Sequence, residues 1–167
     1  MKESKNKGFT LIEFLIYTII LAVLINIIGS VALNIFQSGA RTNTIQEVSH
    51  NGRFSLQKIG QAVNSAEAIV LPEINGTSLT LEFQEEDKNP TIIDVFENTL
   101  RIKEGNKEYV ELTSSKVNVE NMAFKRISSN GLDSVKIEMN ISFDNQKQLP
   151  EYDFESFFTG AFTVGKY

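Results

Sequence analysis

Apolar residues along this chain follow three successive patterns, and each predicts a different kind of element. From Phe14 to Ala40 no residue is charged, and Phe14 to Ile28 is an almost unbroken run of Leu, Ile, Val and aromatic side chains. Taken as a helix, residues 9–36 reach about 42 Å, enough to cross a hydrocarbon layer about 30 Å thick. Beyond Phe36 polar residues return, but the helical period persists. Ile45, Val48, Gly52, Leu56, Ile59, Val63 and Ala66 draw one apolar stripe, opposite Arg41, Gln46, Arg53, Gln57, Lys58 and Gln61. The Asn51-Gly52 pair, poor in helices, predicts a bend or a softened turn. The helix is expected to stop before Pro72, because the residue preceding a proline resists the helical region.

After Pro72 the period changes to two. Leu79, Leu81 and Phe83 alternate with polar residues, Ile93, Val95, Leu100 and Ile102 do so less cleanly around Glu97-Asn98, and Val135 to Phe143 gives the cleanest alternation. Tyr109 to Leu112 and Val117 to Phe124 add two further strand candidates. Turn signals stand at Asn75-Gly76, Glu104-Gly105-Asn106 and Ser129-Asn130-Gly131. Together they predict an antiparallel meander with one buried face, which covers the stripe of the preceding helix. The tail holds Tyr152, Phe154, Phe157, Phe158 and Phe162, expected as a last strand or as aromatics docked on the core rather than as a partner surface. The predicted fold class is α+β. A leader covers residues 1–8, an apolar helix 9–36, an amphipathic continuation 37–70 and an antiparallel β-sheet domain 71–167.

Composition sharpens this picture at two points. The chain has 167 residues and no Cys, so the polar part is one small domain held by packing, without disulfides or thiolate metal sites. Residues 1–8 carry a net charge of +2, whereas residues 65–167 carry −8. A basic leader before an apolar run keeps that end in the cytoplasm and places the acidic domain outside. A surface of that sign argues against nucleic acid, whose affinity comes mainly from phosphate neutralisation.

One stretch breaks the apolar pattern. Gly8-Phe9-Thr10-Leu11-Ile12-Glu13 joins the leader to the apolar run, and Glu13 is the only charge between Lys7 and Arg41. A span that had only to cross would not hold an acid one turn inside its end, because a lone charge in hydrocarbon is costly. Glu13 is therefore expected to have an assigned partner, with snorkelling to headgroups or simple protonation as the plainer accounts. Two rivals for the whole segment are a cleaved secretory signal, with Ser30-Val31-Ala32 as its small-x-small site, and a plain signal anchor.

A basic leader ending in Gly8, followed by Phe9-Thr10-Leu11-Ile12-Glu13 and an unbroken apolar helix, resembles the class III signal of type IV pilins and type II secretion pseudopilins. The resemblance implies a type IV pilin-like fold. It also implies that a prepilin peptidase cuts after Gly8 on the cytoplasmic side and methylates the new amino group of Phe9. Glycine leaves that bond unobstructed, and a cut before the apolar run retains the span as an anchor. In the family the carboxylate at the position of Glu13 pairs with the cationic N-terminus of a neighbouring subunit as helices bundle into a fibre. An α-amino group titrates near 8 in water and can carry that charge.

Two departures point to a minor subunit: the membrane helix has Gly29-Ser30 in place of a proline, and the Cys pair of many major pilins is missing. The order of Arg53-Phe54-Ser55-Leu56-Gln57-Lys58-Ile59, Asn98-Thr99-Leu100-Arg101, Leu112-Thr113-Ser114 and Val119-Glu120-Asn121-Met122-Ala123-Phe124 is most similar to the J-type minor pseudopilin. That resemblance implies a place in a tip complex that primes fibre assembly. The partners implied are other pilin or pseudopilin subunits, the prepilin peptidase, an inner-membrane assembly platform and membrane lipid. The alternative function is a ligand-binding tip pilin for DNA uptake or adhesion.

Catalytic chemistry finds no foothold in the sequence. His50 is the single histidine, and one imidazole builds neither a triad nor a histidine metal site. Glu85-Glu86-Asp87 clusters acids before Pro90 without calcium-loop spacing and is expected to be a solvated turn. No cofactor, metal or catalytic residue is expected; the chain is read as a peptidase substrate and not an enzyme.

Overall fold

Helix α1 runs from Leu11 to Ser65 in a computed structural model that describes residues 10–129 and 131–165. The helix continues unbroken through Gly29-Ser30 and through Asn51-Gly52. The chain divides into two units, one ending at Ala40 and the other beginning at Arg41. In the first unit the described helix is long and apolar enough to cross a membrane. Its side chains are exposed apart from half-buried Ala32 and Ala40. Thr18 donates to the carbonyls of Phe14 and Leu15 at 3.0 and 2.9 Å, Asn26 to that of Ala22 at 2.8 Å, and Ser30 to that of Asn26 at 2.9 Å. Hydrogen bonds folded back on the helix in this way suit a medium that offers no water.

The second unit carries the remainder of α1 and, among the described residues, nine strands. Strands β1 (Ala68–Leu71), β3 (Leu79–Glu82), β4 (Thr91–Phe96), β5 (Thr99–Glu104) and β6 (Val110–Glu111) form one sheet in that order. Strands β2 (Asn75–Gly76), β7 (Val117–Ser129), β8 (Leu132–Phe143) and β9 (Glu155–Thr163) form the other. Every pairing is antiparallel. The fold is α+β and pilin-like: a long N-terminal apolar helix whose distal part packs on antiparallel sheets.

Several details differ from the sequence expectation. The helix ends at Ser65, short of the boundary at 70, and residues 68–71 are already a strand. Sheet pairing captures the chain there, with Glu67 N–H donating to the Glu82 carbonyl at 2.8 Å. The meander is divided between two sheets. Asn75-Gly76 is not a turn; it pairs with Lys125 and Phe124 as the edge of the second sheet. The turn lies instead at Glu97 and Asn98, whose φ values of 48° and 61° make the left-handed pair of a tight two-residue hairpin between Phe96 and Thr99. In β7 the buried positions Val117, Val119, Met122 and Phe124 skip one residue. Asn121, at φ 51°, forms a bulge that returns the later residues to the same face.

The helix stripe is real but more polar than its sequence suggested. Thr44, Val48, Asn51, Gly52, Ser55, Ile59, Gly60 and Val63 are buried, Leu56 is half-buried, and Ile45 is exposed. Against it, β9 turns Phe158, Gly160 and Phe162 inward. A Cβ on Gly52 would lie 2.3 Å from Phe158, and one on Gly60 2.4 Å from Phe162. Between them, a Cβ on Gly160 would lie 3.3 Å from Leu56. Four strand residues rise about 13 Å and eight helix residues about 12 Å, so large meets small three times in register. Gly52 is thus a socket for a ring, whatever it does to the local helix. Phe154 also packs on the core, Tyr152 stacks on Phe143 at 5.6 Å, and Phe157 stays exposed.

Candidate functional site

The candidate site is the start of α1. Thr10 stands before the first helical residue, and its hydroxyl oxygen accepts from Glu13 N–H at 3.3 Å. In return, Glu13 Oε2 accepts from Thr10 N–H at 2.9 Å and from the Thr10 hydroxyl at 2.8 Å. This reciprocal pair is a capping box, which satisfies backbone donors left open at a helix start. Its signature, Thr10-Leu11-Ile12-Glu13 before an apolar run, is written in the sequence, where Thr10 stood only as part of the motif and Glu13 as its lone charge. The other carboxylate oxygen, Oε1, accepts nothing among the described residues. Leu11 and Ile12 point outward, 84% and 66% exposed. Gly8 and Phe9, the expected cleavage and methylation positions, lie outside the described residues.

Residues 4–25 match the family model of the prokaryotic N-terminal methylation motif. The matched segment contains Gly8, Phe9 and the Thr10–Glu13 cap, together with the first turns of the apolar helix. This is the prepilin-type signal, and with the fold it supports a type IV pilin-like chain. No curated protein and no solved structure matches the chain.

A second polar cluster lies within the distal unit and fastens α1 to the loop before β7. Asn51 Oδ1 accepts from Ser114 N–H at 2.8 Å, while its Nδ2 donates to the Glu47 carbonyl at 2.8 Å. Glu47 Oε1 accepts from the Ser114 hydroxyl at 2.8 Å, and Lys116 stands 3.7 Å from Oε2. The Ser114 hydrogen bond, helped by Asn51 and Lys116, outweighs partial burial and holds the Glu47 carboxyl below the usual glutamate range. This cluster positions elements and offers no reacting group.

Elsewhere, His50 is exposed and stacks on Phe54 at 6.2 Å. The acidic turn at 85–87 is engaged by cations, Glu85 with Lys88 and Asp87 with Lys107. Among the described residues no three His, Asp or Glu side chains gather to hold a metal ion. Arg101 lies between the rings of Phe96 and Tyr109, 4.4 and 3.9 Å from their centroids, and is bound by Asp94 at 2.6 Å. A half-open cavity of about 370 Å³ lies over Phe54, Ile102, Val110 and Leu112, with Lys58 and Glu108 among its rim.

Proposed function

We propose that this chain is a minor pilin or pseudopilin subunit, cut by prepilin peptidase between Gly8 and Phe9 and assembled into a type II secretion pseudopilus or a type IV pilus tip. The observation that carries this is Glu13: a carboxylate at the head of an exposed apolar helix, within the methylation motif, with one oxygen held by Thr10 and the other accepting nothing among the described residues. Residues 9–36 span the inner membrane with the leader in the cytoplasm, and the acidic domain lies outside. The cut at Gly8 frees the amine of Phe9. That cation, on a neighbouring subunit, is the partner the open oxygen of Glu13 takes, so the cost of an acid in lipid becomes a drive to bundle helices. Thr10 aims the carboxylate by fixing Oε2.

Absence of the membrane-helix proline and of cysteine supports a minor role, and the order of motifs through residues 53–124 supports the J type, a subunit that primes assembly at the tip. Other pilins, the peptidase and the assembly platform are then its partners. The ligand-binding alternative draws on the Phe96–Arg101–Tyr109 stack, but Asp94 already neutralises that guanidinium, which disfavours nucleic acid there.

Two measurements test the proposal. Mass spectrometry of the membrane-resident chain is expected to find Phe9 first and methylated; a chain beginning at Leu33 would restore the secretory signal. Glu13→Ala is expected to leave processing intact and to remove the subunit from sheared fibres. Normal incorporation of that variant would show that Glu13 does not recruit the amine.

A further inference from the structure

Asn26 is a polar residue deep in the apolar stretch that its own helix serves only in part. About 22 Å of helix rise separates it from Leu11 and about 15 Å separates it from Phe36. Half of a hydrocarbon layer is about 15 Å. If residues 9–36 span a membrane, as proposed above, Asn26 lies close to the mid-plane. Its side chain is exposed, one Nδ2 hydrogen goes to the Ala22 carbonyl at 2.8 Å, and Oδ1 accepts nothing among the described residues. Thr18 and Ser30 differ, because each spends its single hydroxyl hydrogen on backbone carbonyls. Asn34 differs in depth, about 3 Å of rise from Phe36 and so near the polar end. A carboxamide has two donors and an acceptor, and its two-bond reach is too short to snorkel from mid-membrane. Unmet polar groups are expensive in hydrocarbon.

We propose that Asn26 is the contact point of a transmembrane dimer of two copies of this chain, held in the membrane before assembly. A carboxamide is self-complementary: the free Nδ2 hydrogen of each copy meets the Oδ1 of the other. Two copies inserted with the same orientation bring Asn26 to the same depth, so the pair forms without vertical offset. Polar side chains that hydrogen-bond between helices are a recognised source of association in lipid. The approach is open as well, since a Cβ on Gly29 would meet nothing within 4 Å.

The absence of cysteine makes the test direct. Full-length chain in native membranes receives one cysteine on the Asn26 face, Ile19→Cys or Leu33→Cys, or on the opposite face, Leu24→Cys or Ile28→Cys, and is oxidised. Disulfide-linked dimer is expected from the first pair and not from the second. Adding Asn26→Leu is expected to lower the dimer yield about tenfold, and Asn26→Gln to retain it. Equal cross-linking from both faces, or full dimerisation of Asn26→Leu, would overturn the proposal. So would a cross-linked product whose mass shows a different partner. Alkaline extraction separates this from the membrane reading beneath it. Chains that stay in the membrane yet fail to cross-link refute only the pairing; chains released by alkali refute the span, and the pairing with it.

Discussion

Up to Ala40, α1 turns Leu, Ile, Val and Phe outward around almost its whole circumference. From Arg41 to Ser65 the same helix buries Val48, Ile59 and Val63 completely and leaves Arg41, Arg53 and Lys58 exposed. The two stretches also use their polar residues differently. Thr18, Asn26 and Ser30 bond back to their own helix, whereas Asn51 both bonds back, to the Glu47 carbonyl, and reaches across to Ser114 on a distant loop. Glycine changes meaning as well: Gly29 and Gly39 face open space, while Gly52 and Gly60 receive the rings of Phe158 and Phe162. Residue type alone therefore says little about role. What covers the helix decides whether an asparagine is a latch within a domain or an unmet group awaiting another chain.

That contrast can be broken by paired substitutions in the two halves. The largest effect is expected from Asn51→Ala, which leaves Ser114 N–H without its acceptor and costs about 2 kcal/mol in denaturant unfolding of the detergent-solubilised chain. Asn26→Ala is expected to leave the unfolding of the distal domain unchanged. Gly52→Ala comes next. Better helix propensity returns about 1 kcal/mol, but displacing the Phe158 ring costs about 1–3 kcal/mol, for a net loss of about 1 kcal/mol. Gly29→Ala meets no neighbour and is expected to cause no loss in the same experiment. An Asn26→Ala or Gly29→Ala variant that destabilised the domain as much as its counterpart would erase the distinction between the halves.

The smallest effect is a pH dependence confined to the distal half. The Glu47 carboxyl is held below its ordinary 4.5 by the Ser114 hydroxyl first, with Asn51 and Lys116 adding to it. A depressed folded-state pKa contributes stability that is present above about pH 4.5 and is lost as the pH falls through the folded value. The stability difference between the native chain and Glu47→Gln is therefore expected to shrink on acidification. A difference that stayed constant from neutral to acid pH would show that the carboxylate charge has no part in the latch.

Local periodicity made much of the fold legible. The stripe at Val48, Ile59 and Val63, the alternation of Leu79 and Leu81, and that of Val135 to Ile141 all predicted the buried face they now occupy. Less legible were the places where a distant segment overrules a local signal. Asn75-Gly76 has turn chemistry and became a strand because Phe124 and Lys125 offered it an edge. Glu97 has none of the usual turn preference, yet it takes φ 48° because β4 and β5 pair through Phe96 and Thr99. At the helix start, Glu13 was visible as an oddity and Thr10 as part of a motif, but their reciprocal hydrogen bonds needed coordinates.

By itself, then, the sequence determined what acts over a few residues: an uncharged run long enough to cross a membrane, one acid at its head within the methylation motif, and the change from helical to alternating period. Those features follow from side-chain chemistry and backbone repeat alone. Only the tertiary structure decided the division of strands into two sheets, the bulge at Asn121 and the seating of Phe158 and Phe162 on Gly52 and Gly60. These depend on which remote surfaces meet, and a local repeat carries no information about its partner across the core.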